Sequence, residues 1–290
     1  MKENIYRGIL TAKDVDAYLL TEDGANVLEN EKIWCGYLKH FTGLKVCARL
    51  LPQLDYETGR KIIIMWPDMP AQAEPFVELY FNERLAKYRT SFLGHLAINV
   101  DGEIFNFSHL LNENEIMKHE DYFFRPALGE FAPHPVLGRY NVDDPQRPYY
   151  DKFGRLFMRT IHVLKITGLD VKKLSQIFHE QLETIKNTPP DPKNSEKYRD
   201  FNILTNSCST IIREGFKKYG FKNIAGMFPR DIFVNASSYF LYQAKDKRIK
   251  ASRRVLPQLI VSEAAPSVMP PLMNPLNRWK ARQIKNICRN

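Results

Sequence analysis

Cys208 lies two residues after Asn206 and just ahead of Ile211, Ile212, Phe216 and Tyr219. That spacing predicts a helix with one apolar stripe. Asn206 is placed to cap its free N–H groups, which puts Cys208 in the first turn. There the positive end of the helix dipole favours a thiolate, the nucleophilic form of the side chain. Thiolate chemistry on a carbonyl also needs an imidazole base and a polar group that holds the imidazole. His95 and Asn106 supply both on one predicted hairpin. An amide beside a histidine fixes its tautomer, and the Cys208 N–H would contribute to an oxyanion hole. Tyr198, Ser108 and Asn206 are further candidates for substrate or oxyanion contacts. The competing reading is plain packing: a small buried thiol, a sheet histidine satisfied by Ser108, and a solvent-facing Asn106.

The elements that must position these groups are readable from their periods. Leu96, Ile98 and Val100 alternate with His95, Ala97 and Asn99, and Asp101-Gly102 is the preferred two-residue hairpin turn. Pairing about that turn sets Val100 opposite Glu103, Ala97 opposite Asn106 and His95 opposite Ser108. Asn106 becomes the diagonal neighbour of His95. Residues 61–66 and 155–166 read as strands, whereas 76–88 fits helix and strand equally. A helix over 170–187 is capped by Asp170, and Gly220 closes the Cys208 helix. Pro229 starts a further helix or turn. Residues 31–41 carry a helical stripe, and residues 1–58 read as mainly helical. The stretch 110–150 is a proline-punctuated loop, with His109, His119 and His134 in and beside it given no role.

The chain has 290 residues, 44% of them hydrophobic, enough for one large domain or two small ones. Its formal charge of +9 favours anionic surroundings such as nucleic acid, acidic lipid or a bacterial cell wall. No zinc-finger spacing or other nucleic-acid motif accompanies that charge. Cys35, Cys47, Cys208 and Cys288 are too scattered for a disulfide framework. Cys35, His40 and Cys47 fit no standard zinc spacing, so no metal and no cofactor are expected. No apolar run is long enough for a signal peptide or a membrane span, and synthesis in the cytoplasm is expected, with any export left to a dedicated secretion system. Lys245 to Arg254 is a basic run followed by prolines, which reads as an extended arm.

The order of His95 strand, Asp-Gly turn, Asn106 strand and Cys208 helix resembles the circularly permuted papain-like hydrolases. These include permuted NlpC-type peptidases, permuted deubiquitinase-like proteases and the lecithin:retinol acyltransferase group. The run Gly94 to Gly102 takes the place of that group's histidine hairpin, Asn106 the place of its second histidine, and Asn206-Ser207-Cys208-Ser209-Thr210 the place of its Asn-Cys helix. A closer likeness is to a family of uncharacterised bacterial domains with an Asn-Cys-Ser/Thr-Thr helix. That family also has a preceding strand, a long helix, a proline loop and a Tyr-rich segment, as in residues 161–213. Ser207 departs from both patterns, which have Asn directly before Cys, and the Glu-His-Phe after the acyltransferase cysteine is missing.

The resemblance implies an α+β fold of the permuted papain-like kind, with an antiparallel sheet packed against helices. The expected division is a mainly helical extension over 1–58, a catalytic domain over 59–245 and a basic C-terminal tail over 246–290. It implies a cysteine hydrolase with a Cys208–His95–Asn106 triad cutting amide bonds in a peptide or peptidoglycan stem, in the manner of a secreted bacterial effector or toxin. An immunity or secretion partner would accompany that role, and the basic tail would touch anionic membrane or cell wall. One alternative is a thiol acyltransferase or lipase acting on membrane lipid. The other is a non-enzymatic binding protein that uses the tail.

Overall fold

A computed structural model describes residues 4–13, 16–55, 58–70, 72–85, 92–109, 113–126, 153–244 and 246–287. In chain order its elements are β1 (Tyr6–Lys13), β2 (Asp16–Leu20), β3 (Asn26–Val27), α1 (Cys35–Phe41), β4 (Lys45–Leu54) and β5 (Lys61–Pro67). Next come β6 (Phe76–Asn82), β7 (Arg84–Leu85), β8 (His95–Val100), β9 (Glu103–Asn106), β10 (Glu115–Met117), α2 (His119–Phe124) and α3 (Arg155–Met158). The rest are β11 (Ile161–Thr167), α4 (Val171–Lys186), β12 (Pro190–Asp191), β13 (Asn194–Tyr198), α5 (Cys208–Tyr219), α6 (Pro229–Ser238), β14 (Lys250–Leu256), β15 (Ser267–Val268) and α7 (Asn277–Ile287). The fold is α+β with antiparallel sheets. Residues 127–152, which hold His134 and most of the expected proline loop, and Cys288 lie outside the described residues.

The chain forms two compact units that do not follow the expected linear division. One comprises Met1–Ala71, Glu120–Met158 and Leu259–Ala264; the other comprises Gln72–His119, Arg159–Gln258 and Ala265–Asn290.

The first unit is built on a five-stranded sheet in the order β3-β2-β1-β4-β5. This corrects the expectation that residues 1–58 are mainly helical. Strand β1 buries only Gly8 and Leu10, so its alternation is too faint to read. It is defined by its pairing with β2 and β4. The helical stripe over 31–41 shortens to α1, where Tyr37 and Phe41 stack at 5.6 Å and Trp34 meets Tyr37 edge-on at 5.2 Å. The expected strand at 61–66 is β5.

The second unit holds a six-stranded antiparallel sheet in the order β10-β9-β8-β6-β11-β14. The ambiguous 76–88 stretch forms β6 and β7. All but the first residue of β6 are buried, which is why it showed no period of two. The expected 155–166 strand divides into α3 and β11. Hairpin β8–β9 pairs Val100 with Glu103 and Ala97 with Asn106, as the Asp-Gly turn required. Asp101 and Gly102 both take positive φ, 52° and 103°, the signature of that turn. The ladder ends at Ala97–Asn106, short of the expected His95–Ser108 pair, and His95 pairs across β6 with Asn82.

One face of this sheet presents Leu96, Ile98, Phe105, Leu79 and Phe81 to α4, α5 and α6, forming one apolar core. The Asp170 side chain accepts the Lys173 N–H at 3.0 Å, capping α4. A Cβ on Gly215 would lie 2.4 Å from the Phe178 ring, so that glycine allows α5 to approach α4 closely. The C-terminal segment is not an extended arm. Strand β14 pairs along its length with β11, and α7 follows a loop anchored by the buried Asp231, whose carboxylate accepts the Met273 and Asn274 N–H groups at 3.1 Å each. Among the described residues no helix is long and apolar enough to cross a membrane.

Candidate functional site

Helix α5 starts on Cys208, but its N-cap is Ser207, not Asn206. The Ser207 N–H donates to Thr210 Oγ1 at 2.7 Å, half of a reciprocal capping arrangement. Ser209 Oγ donates to the Met227 carbonyl at 2.8 Å, tying the same turn to the chain ahead of α6. Cys208 is half-buried against the apolar core. As the first helical residue, it sits where backbone N–H groups have no carbonyl one turn back.

The inserted Ser207 therefore takes the capping role expected of Asn206. Asn206 holds the preceding loop instead: its Nδ2 donates to the Asp200 carbonyl at 3.0 Å, and its backbone exchanges bonds with Asn202. Tyr198, expected as a weak substrate or oxyanion contact, is fully buried, and its hydroxyl donates to the Asn206 carbonyl at 3.1 Å. Burial pushes the Tyr198 phenol well above its ordinary value, and the nearby Cys208 and Asp200 side chains add to the shift. Tyr198 and Asn206 are thus positioning residues for the start of α5.

His95 opens β8 directly after Gly94, whose φ is +77°. A side chain at 94 would put a Cβ 2.5 Å from the Asn82 carbonyl, so only glycine lets the strand enter here. His95 Nε2 lies 2.7 Å from Asn106 Oδ1. The amide's orientation follows from its other end: Asn106 Nδ2 donates to the Glu113 carbonyl at 2.9 Å, and a carbonyl can only accept. Oδ1 therefore faces the imidazole and accepts from it. The proton sits on Nε2, and Nδ1 is the basic nitrogen.

Ser108 continues this scaffold. Its Oγ donates to Glu113 Oε2 at 2.6 Å, while its backbone N–H and C=O bond the Asn114 amide at 3.0 Å each. Glu113 and Asn114 thus fix the strand end that carries Asn106. Sequence reasoning missed both, and the Gly94 before the histidine as well; that glycine was the one readable signal among them.

His95, Ser108, Ser207 and Cys208 line one cleft of ≈ 220 Å³, together with Phe92, Leu93, Gly94, Phe107, His109, Phe201, Ile203, Ser209, Phe228 and Pro229. His95 and Cys208 come together here from elements more than a hundred residues apart, with Asn106 behind the imidazole. His109 is the second imidazole on the cleft. Burial pushes its pKa below the ordinary histidine value, and its ring lies 5.6 Å from Phe201. Among the described residues no group of three or more His, Cys, Asp or Glu side chains is placed to hold a metal ion. Cys47 donates to Asp68 at 3.4 Å, and His40 meets the Ile260 carbonyl. Comparison of the chain with protein families, with curated proteins and with solved structures gave no match.

Proposed function

We propose that the chain is a cysteine hydrolase that cleaves amide bonds of peptides through Cys208, His95 and Asn106, on a permuted papain-like arrangement of hairpin and helix. The observation that carries this reading is the 2.7 Å contact of His95 Nε2 with an Asn106 amide whose orientation is fixed. That contact leaves Nδ1 as the base in a cleft it shares with a thiol at a helix start.

In this reading His95 Nδ1 takes the Cys208 proton, and the helix N-terminus favours the thiolate. The sulfur attacks the substrate carbonyl carbon, forming a C–S bond, and first-turn N–H groups of α5 stabilise the oxyanion. The C–N bond breaks as His95 Nδ1–H protonates the leaving amine. His95 then takes a proton from water, whose oxygen displaces the sulfur and releases the carboxylic acid. Throughout, Asn106 holds the Nε2–H and keeps Nδ1 aimed at the reacting atoms.

The test is the pH dependence of Cys208 alkylation by iodoacetamide in wild type and His95→Ala, with peptide hydrolysis measured in Cys208→Ala. The expected result is rapid alkylation that persists below the ordinary thiol range and is lost with His95, and hydrolysis reduced by at least about 10³-fold without Cys208. Full hydrolysis by Cys208→Ala, or an alkylation profile indifferent to His95, would sink the proposal.

A further inference from the structure

The thiol cleft has an unusual lining for a chain that is 26% charged: none of the described residues that line it is Asp, Glu, Lys or Arg. Leu93, Phe107, Phe201, Ile203 and Phe228 form its walls. Its few polar groups are already engaged. Ser108 Oγ is bonded to Glu113, Ser209 Oγ to the Met227 carbonyl, and His95 to Asn106. His109 is held toward its neutral form by burial.

The apolar character continues outward. Phe92 is 44% exposed and Ile203 51%, while Leu204 and Met227, each next in sequence to a lining residue, are 46% and 44% exposed. Single exposed apolar residues are ordinary. Four on the lining and shoulders of one small cleft mark a contact surface.

We infer that this cleft selects substrates in which the attacked carbonyl belongs to a residue with one large apolar side chain, such as Leu or Phe. The inference rests on the thiol-hydrolase reading and names the substrate class for that site. Two further observations decide between ligand classes. The described lining holds no Lys or Arg to pair with a substrate carboxylate, and burying an unpaired one is costly. That disfavours the acidic stem peptides of peptidoglycan. A volume of ≈ 220 Å³ is also below the roughly 300–1,000 Å³ of pockets that hold drug-sized ligands, so it suits one side chain rather than a long acyl chain. An apolar group seated between Phe201, Ile203 and Phe228 would hold its own carbonyl at the start of α5. Binding energy gained from that side chain would thus be spent on orienting the reacting bond.

The experiment uses the full-length chain and peptidyl aminocoumarin amides that differ only at the residue donating the attacked carbonyl: Leu, Phe, Ala, Lys and Asp. A series of p-nitrophenyl esters from acetate to palmitate runs beside them. The expected result is kcat/KM about 10- to 100-fold higher for Leu and Phe than for Asp and Lys. The preference should collapse in Ile203→Asp and in Phe201→Ala. Iodoacetamide, which carries no apolar group, reads the thiol alone in each variant. Equal rates across the amides, or a preference for Asp or Lys, would overturn the inference while leaving the thiol hydrolase standing. Ester turnover that climbs steadily to palmitate with no amide cleavage would overturn it in favour of lipid substrates. No turnover at all, together with His95-independent alkylation, would remove the hydrolase reading and this one with it.

Discussion

Two clefts among the described residues of the second unit differ in what lines them. One, of ≈ 690 Å³, is lined by Gly168, Asp170, Tyr219, Phe221, Asn223, Tyr239, Asp246 and Arg248, among others. Its polar groups serve the fold. The Tyr219 hydroxyl accepts the Asp170 N–H at 2.8 Å, Lys173 Nζ lies 4.9 Å from the centre of the Tyr219 ring, and Arg248 pairs with Asp246 at 2.8 Å. The cleft at Cys208 is a third of that size, but a thiol and an oriented imidazole both open onto it. What distinguishes the small cleft is that a thiol and an imidazole line it together, the imidazole held by Asn106.

Substitutions can break this contrast in order of effect. Asn106→Ala removes the brace of His95, and alkylation of Cys208 at neutral pH is expected to slow roughly 10- to 100-fold, as measured by iodoacetamide kinetics. If the rate is unchanged, the amide is only structural. Gly94→Ala forces a side chain into a positive-φ position beside the Asn82 carbonyl. It should cost about 1–3 kcal/mol in urea unfolding and slow alkylation along with it. Tyr219→Phe in the large cleft leaves the Asp170 N–H without its partner, costing about 1 kcal/mol of stability while the Cys208 rate stays at the wild-type value. A changed rate would mean that the two clefts are coupled.

The smallest effect concerns His109. Its folded pKa lies below its ordinary value, so the unfolded chain binds the proton more readily than the folded one. Folded stability therefore falls as pH drops through the ordinary histidine range toward the lowered value. His109→Gln should flatten that part of the stability profile and leave the pH dependence of alkylation to His95.

Local rules made the hairpin, α4 and α5 legible. An Asp-Gly dipeptide, a period of two and capped apolar stripes act over a few residues, and they sufficed to place Asn106 beside His95 and Cys208 at the start of its helix; what joined that helix to the hairpin was the family resemblance, not a local rule. The cap of α5 shifted by one residue because Ser207 and Thr210 satisfy the helix start themselves, leaving Asn206 for the loop. The first unit was misread because β1 shows almost no alternation, and its identity depends on pairing with β2 and with β4, the latter more than thirty residues later. The same holds for β14. A stretch with Lys250, Arg253 and Arg254 reads as a solvated arm until β11, some ninety residues earlier, supplies its ladder. The Glu113 carbonyl that orients Asn106 had no sequence signature, because any residue at that position offers a carbonyl.

The place of β14 at the border of the six-stranded sheet has a consequence for the edge that the sheet presents. Behind it lies β11, in which Ile161, Val163, Leu164 and Ile166 are all fully buried. Were residues 246–290 cut away as a tail, that aliphatic strand would become the border, with a row of open N–H and C=O groups inviting another chain to zip on. The segment that looked like an arm reaching outward is thus a selvedge, a finished margin whose Arg254 is itself tied back to Glu78 in the sheet.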